Sequence, residues 1–365
     1  MMRIKWSLTK APNIIRLNLK QKWWHLQIII KSLFYNEFLN WSYVCDILLE
    51  PMFWFVQNFT ACLGPVFVVM ISLLTTSIVY IAYYIGLPYW WEKSPLMTII
   101  LLVIGNWLLG NVCFHYYMSV NVPAGCPPEG GLIPEAVSIC KKCIKPKPPR
   151  THHCSICNRC ILKMDHHCPW LNNCVGHYNH RHFFQYMIFT VIGVLFIMLF
   201  GVEIAYQEFF PAQEPELDGH PVRINNSEII PVTESLDHLS EEELAEIAKK
   251  AADTNVKEWK RRLIVFAALI CVATFAALGA LTSWHAGLIS RGETSIEARI
   301  NATETQKYKV LGKIYQNPYN FGPRQNWKLF LGIIGRSWWH VLFPSNHRPY
   351  GDGLTWKTIH DTKIS

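Results

Sequence analysis

The sequence predicts a membrane α-helical protein, with four transmembrane helices and a cysteine-rich domain between helices 2 and 3. Three observations predict this. Of 365 residues, 51% are hydrophobic and only 16% charged, with 15 Trp, which is too apolar for an ordinary soluble chain. Four runs, 61–87, 96–118, 183–206 and 263–289, are each long enough to cross the ~30 Å hydrocarbon layer as a helix. Seven of the 12 cysteines crowd into residues 140–174. Any single apolar run could be a buried core helix, but four in one chain argue for spans.

The net charge of +8 is distributed by segment. Residues 1–60 carry seven Lys/Arg against three acids, 119–182 eight against three, and 290–365 eleven against five. Residues 207–262 reverse the balance, with seven basic and thirteen acidic residues. Basic segments therefore flank alternate ends of the spans, and the positive-inside rule puts both termini and the cysteine-rich loop in the cytosol. The charge is explained by the lipid bilayer and gives no reason to invoke nucleic acid. Lys260, Arg261 and Arg262 run against the pattern and read as the end of a lumenal amphipathic helix.

In chain order, residues 1–60 form a basic, aromatic segment. There Arg3, Lys5, Lys10, Arg16, Lys20, Lys22 and Lys31 interleave with apolar residues, as in a helix lying in an anionic interface. Residues 61–118 hold the first two spans, joined by a hairpin at 88–95 whose Tyr89, Trp90 and Trp91 suit the headgroup level. The 119–182 domain opens on Pro123, Gly125, Pro127, Pro128, Gly130 and Gly131, a breaker-rich exit from the membrane. After the third span, 183–206, the lumenal loop 207–262 carries a glycosylation frame at Asn225 and an N-cap with an acidic first turn at Ser240, Glu241, Glu242 and Glu243. The fourth span, 263–289, leads to a cytosolic tail, 290–365, with short interfacial helices at 327–334 and 337–343.

The cysteine-rich loop repeats itself. Cys140, Cys143, His153 and Cys160 follow C-x2-C-x9-H-x6-C, and a shift of fourteen residues gives Cys154, Cys157, His167 and Cys174 at the same spacing. A reducing cytosolic loop favours metal ligation over disulfides, and a closed Cys3His set is a structural zinc site. The quartets interleave, so each metal pins the other's loop. With Pro146, Pro148 and Pro149 and few aliphatic residues, the loop needs two structural zinc ions to supply much of its folding free energy.

One thiol is left over. His152-His153-Cys154 recurs as His166-His167-Cys168, but three residues beyond Cys168 stands Leu171, and Asp165 replaces Thr151 before the pair. A carboxylate, an imidazole and a thiol this close form a nucleophile with its base: His166 takes the thiol proton and Asp165 orients the ring. A spare ligand or inert buried thiol is the plainer alternative. A thiolate at the membrane face suits thioester exchange with a fatty acyl-CoA. The chain would enter among the helices, and Lys142, Lys145, Lys147, Arg150 and Lys163 would meet the CoA phosphates.

The stretch 140–174, with Asp-His-His-Cys-Pro-Trp at 165–170, resembles the cysteine-rich domain of DHHC protein S-acyltransferases (palmitoyltransferases). The similarity covers about residues 50–350. It implies that Cys168 takes an acyl group from palmitoyl-CoA or another long-chain acyl-CoA and passes it, in two ping-pong steps, to cysteines of membrane-associated substrate proteins. The family's Thr-Thr-x-Glu motif is matched by Thr294, Ser295, Ile296 and Glu297, so Ser295 would support the catalytic Asp165. The tail motif's asparagine is matched by Asn317, with Tyr319 and Phe321 packing near the membrane. The family's Asp-Pro-Gly is replaced by Pro123-Ala124-Gly125. Trp170, Phe183 and Tyr186 would line an acyl tunnel, and Gly193, about 15 Å further along a helix, would leave it deep enough for stearoyl as well as palmitoyl chains. The resemblance also implies endoplasmic reticulum or Golgi membranes. A second reading from another class is a zinc-stabilised membrane scaffold or ubiquitin-ligase-like adaptor, and a third a zinc transporter. Asp165, His166 and Cys168 discriminate, because a scaffold needs no thiol beside a base.

Overall fold

Backbone polar groups in hydrocarbon must be satisfied within the segment, so long apolar runs become helices. The computed structural model describes residues 11–34, 41–128, 136–210 and 241–361. Among them four helical stretches are long and apolar enough to span: Cys62–Lys93, Pro95–Asn121, His180–Phe209 and Ala252–Ser290. Arg3, Lys5, Lys10, Gly130, Gly131, Asn225 and Ser240 lie outside the described residues.

Two compact units divide the chain, Met1–Leu63 and Gly64–Ser365. The first comprises α1 (Ala11–Phe34), with Trp23 and Trp24 exposed, and the start of α2 (Trp41–Ile81). In the second, α2 continues through a π-helical stretch, Ala82–Gly86, into α3 (Leu87–Lys93). The hairpin expected at 88–95 is therefore helical almost throughout, and the chain reverses at Ser94. Pro95 opens α4 (Pro95–Asn121), a position where no amide proton is required, and Pro88 closely follows the π-helical stretch, where the α-helical hydrogen-bond ladder is interrupted.

Helix α5 (His180–Phe209) packs between α4 and α6 (Glu241–Ser290). The lumenal helix and fourth span expected as separate pieces are one 50-residue rod, about 75 Å long. Its anomalous basic cluster has partners. Lys260 Nζ lies 3.2 Å and Arg261 Nε 3.4 Å from the Glu208 carboxylate at the end of α5. Arg262 pairs with Glu258 at 3.1 Å. The charge that ran against the orientation rule is thus largely neutralised in place.

Between α4 and α5 lie six three-residue strands: β1 (Ser138–Cys140), β2 (Lys145–Lys147), β3 (His152–Cys154), β4 (Arg159–Ile161), β5 (His166–Cys168) and β6 (Asn173–Val175). They form three separate antiparallel hairpins with one register, Cys140 facing Lys145, Cys154 facing Arg159 and Cys168 facing Asn173. The third hairpin adjoins α2 at Gly64, where any Cβ would collide with the side chain of Asn172.

The tail folds back onto this frame through α7 (Ser295–Val310), α8 (Pro323–Leu331) and α9 (Trp339–Leu342), near the two short helices expected there. Buried Arg181 donates to the carbonyls of Ser345 (3.2 Å) and His347 (2.9 Å), and Gln185 Nε2 to that of Val341 (3.0 Å). Beside the third hairpin, a core of Cys168, Leu171, Val175, Phe183, Phe184, Met187, Ile289 and Phe330 joins α5, α6 and α8.

Candidate active site

The three hairpins are three copies of one knuckle. Each begins at a cysteine, turns, and places a residue of positive φ four positions on: Ile144 (51°), Asn158 (50°) and Asn172 (49°). In the first two copies the turn supplies a second cysteine, Cys143 and Cys157, whose amides point at Cys140 Sγ (3.5 Å) and Cys154 Sγ (3.3 Å). In the third copy that position is Leu171, 1% exposed and packed in the core. Cys168 therefore occupies a ligand's place in a knuckle whose second ligand is aliphatic.

Both predicted quartets assemble. In one, Cys143 Sγ lies 3.1 Å from His153 Nδ1 and 3.9 Å from Cys160 Sγ, with Cys140 in the same cluster. In the other, His167 Nδ1 lies 3.8, 3.4 and 3.5 Å from the sulfurs of Cys154, Cys157 and Cys174. A tetrahedral zinc with Zn–S of about 2.3 Å needs sulfur–sulfur edges of about 3.8 Å. Donor type, number and spacing all fit zinc.

Asp165, fully buried, is the hub of the remaining chemistry. Its Oδ2 accepts from His166 Nδ1 at 2.6 Å, which fixes the tautomer, because a carboxylate can only accept. Its Oδ1 accepts from the Ser295 amide at 2.8 Å, and its backbone carbonyl accepts from Ser295 Oγ at 2.7 Å. Burial works against charge on Asp165, but His180 and the His166 hydrogen bond outweigh it and hold the carboxyl well below its usual range. Burial likewise opposes the His166 imidazolium, yet Asp165 and the Cys168 side chain together raise its pKa to about 9.

Thr294 and Glu297 close a capping box at the start of α7. Glu297 N donates to Thr294 Oγ1 (3.3 Å), and Thr294 N donates to Glu297 Oε2 (2.9 Å). This sets the register that delivers Ser295 to Asp165. The same carboxylate receives Arg150 in a bidentate pair, both contacts 2.6 Å, while Arg150 also donates to the Gly292 carbonyl (3.0 Å) and lies between the rings of Tyr319 and Trp356. Arg150 is thus corrected. With its side chain 6% exposed and bound to Glu297, it is structural and not free for a phosphate.

Of the other cations named from sequence, Lys142, Lys145 and Lys147 are on the first hairpin. Lys163 is half-buried against Trp356 and Phe330, and burial, aided by Arg150, lowers its pKa to about 7. Asn317 donates to the Arg291 carbonyl (2.9 Å) and braces the turn between α6 and Thr294. The asparagine buried at this joint is Asn326, which donates to the Ser290 carbonyl (2.9 Å) and accepts from Phe321 N (3.0 Å). Its place beside Trp327 in the tail was the available signal.

A cavity of about 1080 Å³ opens from His166 and Cys168 into the helices and is lined by Trp170, Phe183, Tyr186 and Gly193. Gly193 meets nothing within 4 Å of a notional Cβ. Sequence reasoning missed His180 and His285, which flank Asp165 from α5 and α6. His285 stands alone in an apolar helix, and His180 lies in a His- and Arg-rich helix start, so neither had a spacing that tied it to Asp165.

A family model described as DHHC palmitoyltransferase matches residues 134–302. Palmitoyltransferase ZDHHC16 of Homo sapiens is 40% identical over 363 residues, covering 97% of this chain and 92% of the relative. Palmitoyltransferase ZDHHC16B of Danio rerio is 41% identical over 348 residues, covering 93% and 89%. The chain belongs to the DHHC palmitoyltransferase family. Probable protein S-acyltransferase 16 of Arabidopsis thaliana, 30% identical over 253 residues, covers 69% of this chain and 73% of its own length. The protein is accordingly a protein S-palmitoyltransferase, a multi-pass membrane enzyme with acyl-CoA as co-substrate and proteins as acceptors. The scaffold or adaptor reading is not favoured.

Proposed function

We propose that Cys168 is the acyl-carrying nucleophile, with His166 as its base and Asp165 as the group that orients and charges His166. The observation that carries this is the buried Asp165–His166 hydrogen bond of 2.6 Å beside a thiol that no metal quartet uses. His166 takes the Cys168 proton. The thiolate attacks the thioester carbonyl, the bond to the CoA sulfur breaks, and the leaving thiolate takes the proton back from His166. In the second step His166 accepts the proton of a substrate cysteine, whose sulfur attacks the Cys168 thioester and releases the Cys168 thiolate. Ser295 holds Asp165, and Thr294, Glu297 and Arg150 hold Ser295.

Two structural zinc ions on Cys140, Cys143, His153 and Cys160 and on Cys154, Cys157, His167 and Cys174 would fix the knuckles and supply folding free energy, not chemistry. The acyl chain, palmitoyl or stearoyl, would lie in the cavity past Trp170, Phe183 and Tyr186 towards Gly193. Lys142, Lys145, Lys147 and the half-buried Lys163 would meet the CoA phosphates. The charge asymmetry of the loops supports a cytosolic cysteine-rich domain and cytosolic termini in an endoplasmic reticulum or Golgi membrane, acting on cysteines of membrane-associated proteins.

The test is labelling of purified protein with a clickable acyl-CoA. Hydroxylamine-sensitive label should appear on the wild type and vanish in Cys168→Ser. Label persisting on a folded Cys168→Ser protein would overturn the assignment.

A further inference from the structure

Asp165 Oδ1 faces two histidines that the acyl-transfer chemistry does not use. His180 opens α5 and is 4% exposed; His285 sits near the end of α6 and is 1% exposed. His180 Nε2 lies 3.9 Å from Asp165 Oδ1. The rings of His180 and His285 are 5.9 Å apart at 84°, and one donor atom from each of the three residues falls within 4.8 Å of the others. His180 Nδ1 and Nε2 and His285 Nδ1 are buried without a hydrogen-bond partner. Buried polar atoms are ordinarily paired, and each neutral imidazole carries one lone pair, so the unpaired rings of His180 and His285 beside one carboxylate offer two nitrogen donors to a ligand that accepts lone pairs.

We infer that Asp165, His180 and His285 form a third metal site, distinct from the two Cys3His quartets, that binds a divalent transition ion such as Zn²⁺ and inhibits the enzyme. Two imidazoles and a carboxylate are a donor set zinc accepts at bond lengths of about 2.0–2.2 Å. Ligands so bound are about 3.4 Å apart, so the 3.9 Å His180–Asp165 pair closes by about half an ångström and the widest pair, within 4.8 Å, by at most about 1.4 Å. Access runs past His166, which lines the cavity mouth and whose side chain is 32% exposed; its ring is 5.9 Å from that of His285.

Inhibition follows from geometry. Asp165 Oδ1 already accepts the Ser295 amide, and Oδ2 holds His166. A dication on Oδ1 competes with that amide and draws the carboxylate towards His180 and His285, out of the orientation that holds His166 Nδ1. The ion thus opposes the arrangement that Asp165 stabilises. This consequence rests on the assignment of Asp165 as the partner of His166.

Full-length protein carrying its structural zinc is titrated with Zn²⁺, and bound metal and initial acyl-enzyme formation are measured together. We expect one additional ion per chain and at least about a tenfold loss of rate. His285→Gln and His180→Gln should each weaken the added ion by roughly 10–100-fold, leave the structural zinc count unchanged, and shift inhibition equally, each relative to its own metal-free rate. Cys168→Ser should keep the added ion, and Co²⁺ in its place should show no sulfur-to-metal charge-transfer band. No added ion, an ion lost in Cys168→Ser, or a thiolate band would refute the site and leave the role of Asp165 standing. An added ion that depends on His285 but leaves acylation unchanged would refute inhibition and, with it, the Asp165–His166 partnership.

Discussion

Removing the Glu297 carboxylate tests whether the start of α7 is held by a buried ion pair. Glu297 accepts two contacts of 2.6 Å from Arg150 and one of 2.9 Å from the Thr294 amide, and the two charged side chains are only 6% and 10% exposed. Glu297→Ala leaves a guanidinium buried between Tyr319 and Trp356 with only the Gly292 carbonyl for company. Breaking one side of such a pair costs about 3–5 kcal/mol, within which the lost half of the capping box contributes about 1. At roughly 2–4 °C per kcal/mol, thermal unfolding in detergent should fall by at least about 6 °C. Arg150→Met with Glu297→Ala removes both charges while keeping bulk between the two rings. The double variant should therefore be more stable than the single losses predict, by about 2 kcal/mol or more. Burial pushes the Glu297 carboxyl up, but Arg150 outweighs it and holds the pKa below its ordinary 4.5. The pair's stabilisation is therefore fully present above pH 4.5 and is lost as pH falls through the depressed value. The difference between wild type and Glu297→Ala should narrow only on that acidic side. An unshifted Glu297→Ala, or strict additivity in the double variant, would refute the reasoning.

Further outcomes follow from the other joints of the site. Cys143→Ala and His153→Ala should each lose zinc by elemental analysis and destabilise the loop, whereas Cys168→Ala should keep two ions per chain; a loss of metal in Cys168→Ala would contradict the quartet assignment. Ser295→Ala removes one hydrogen bond to Asp165 worth about 1 kcal/mol and should slow acyl-enzyme formation roughly fivefold, with Ser295→Thr near wild type; equal rates in all three would sever Ser295 from the chemistry. Gly193→Tyr fills the open wall of the cavity and should reduce stearoyl use more than palmitoyl use in a competition between the two acyl-CoAs. Unchanged chain selectivity would place the limiting depth elsewhere.

The spans and the clustering of the two Cys3His quartets were legible because each depends on a local, periodic signal: an apolar run for a helix, and a fourteen-residue repeat for the quartets. Helix ends were less legible. The prolines at 88 and 95 suggest a wide hairpin in sequence, yet both sit where a helix tolerates them, so the chain stays helical to Lys93. Ser240 and its acidic neighbours signalled a helix start, but no breaker separates that helix from the fourth span, and the two are one. The roles of Arg150, Asn326, His180 and His285 depend on partners 15 to 147 positions away on other elements, and spacing alone carries no trace of such contacts. Arg150 illustrates the risk. A lone arginine in a basic loop reads as a free cation until its carboxylate, on another element, is in view.

The equivalence of the three knuckles says why the proposed nucleophile, Cys168, would stand where it does. A knuckle turn fixes its first cysteine in a set position relative to the strand that follows, and in copies one and two that rigidity would serve a metal. In the third copy, Leu171 replaces the second ligand and turns inward to the core that α5, α6 and α8 share. The first cysteine keeps its fixed position, and its neighbour becomes His166, held by Asp165, instead of a second thiolate. Zinc in the neighbouring copies would hold a geometry that zinc does not occupy here. A reactive group must be positioned to within a fraction of an ångström, and a loop this short cannot do so with its own core. On that argument Leu171→Cys, which restores the missing ligand, should draw metal onto Cys168 and abolish acyl-enzyme formation without unfolding the domain. A Leu171→Cys protein that binds no further metal and acylates normally would show that the third knuckle is a resemblance of shape alone.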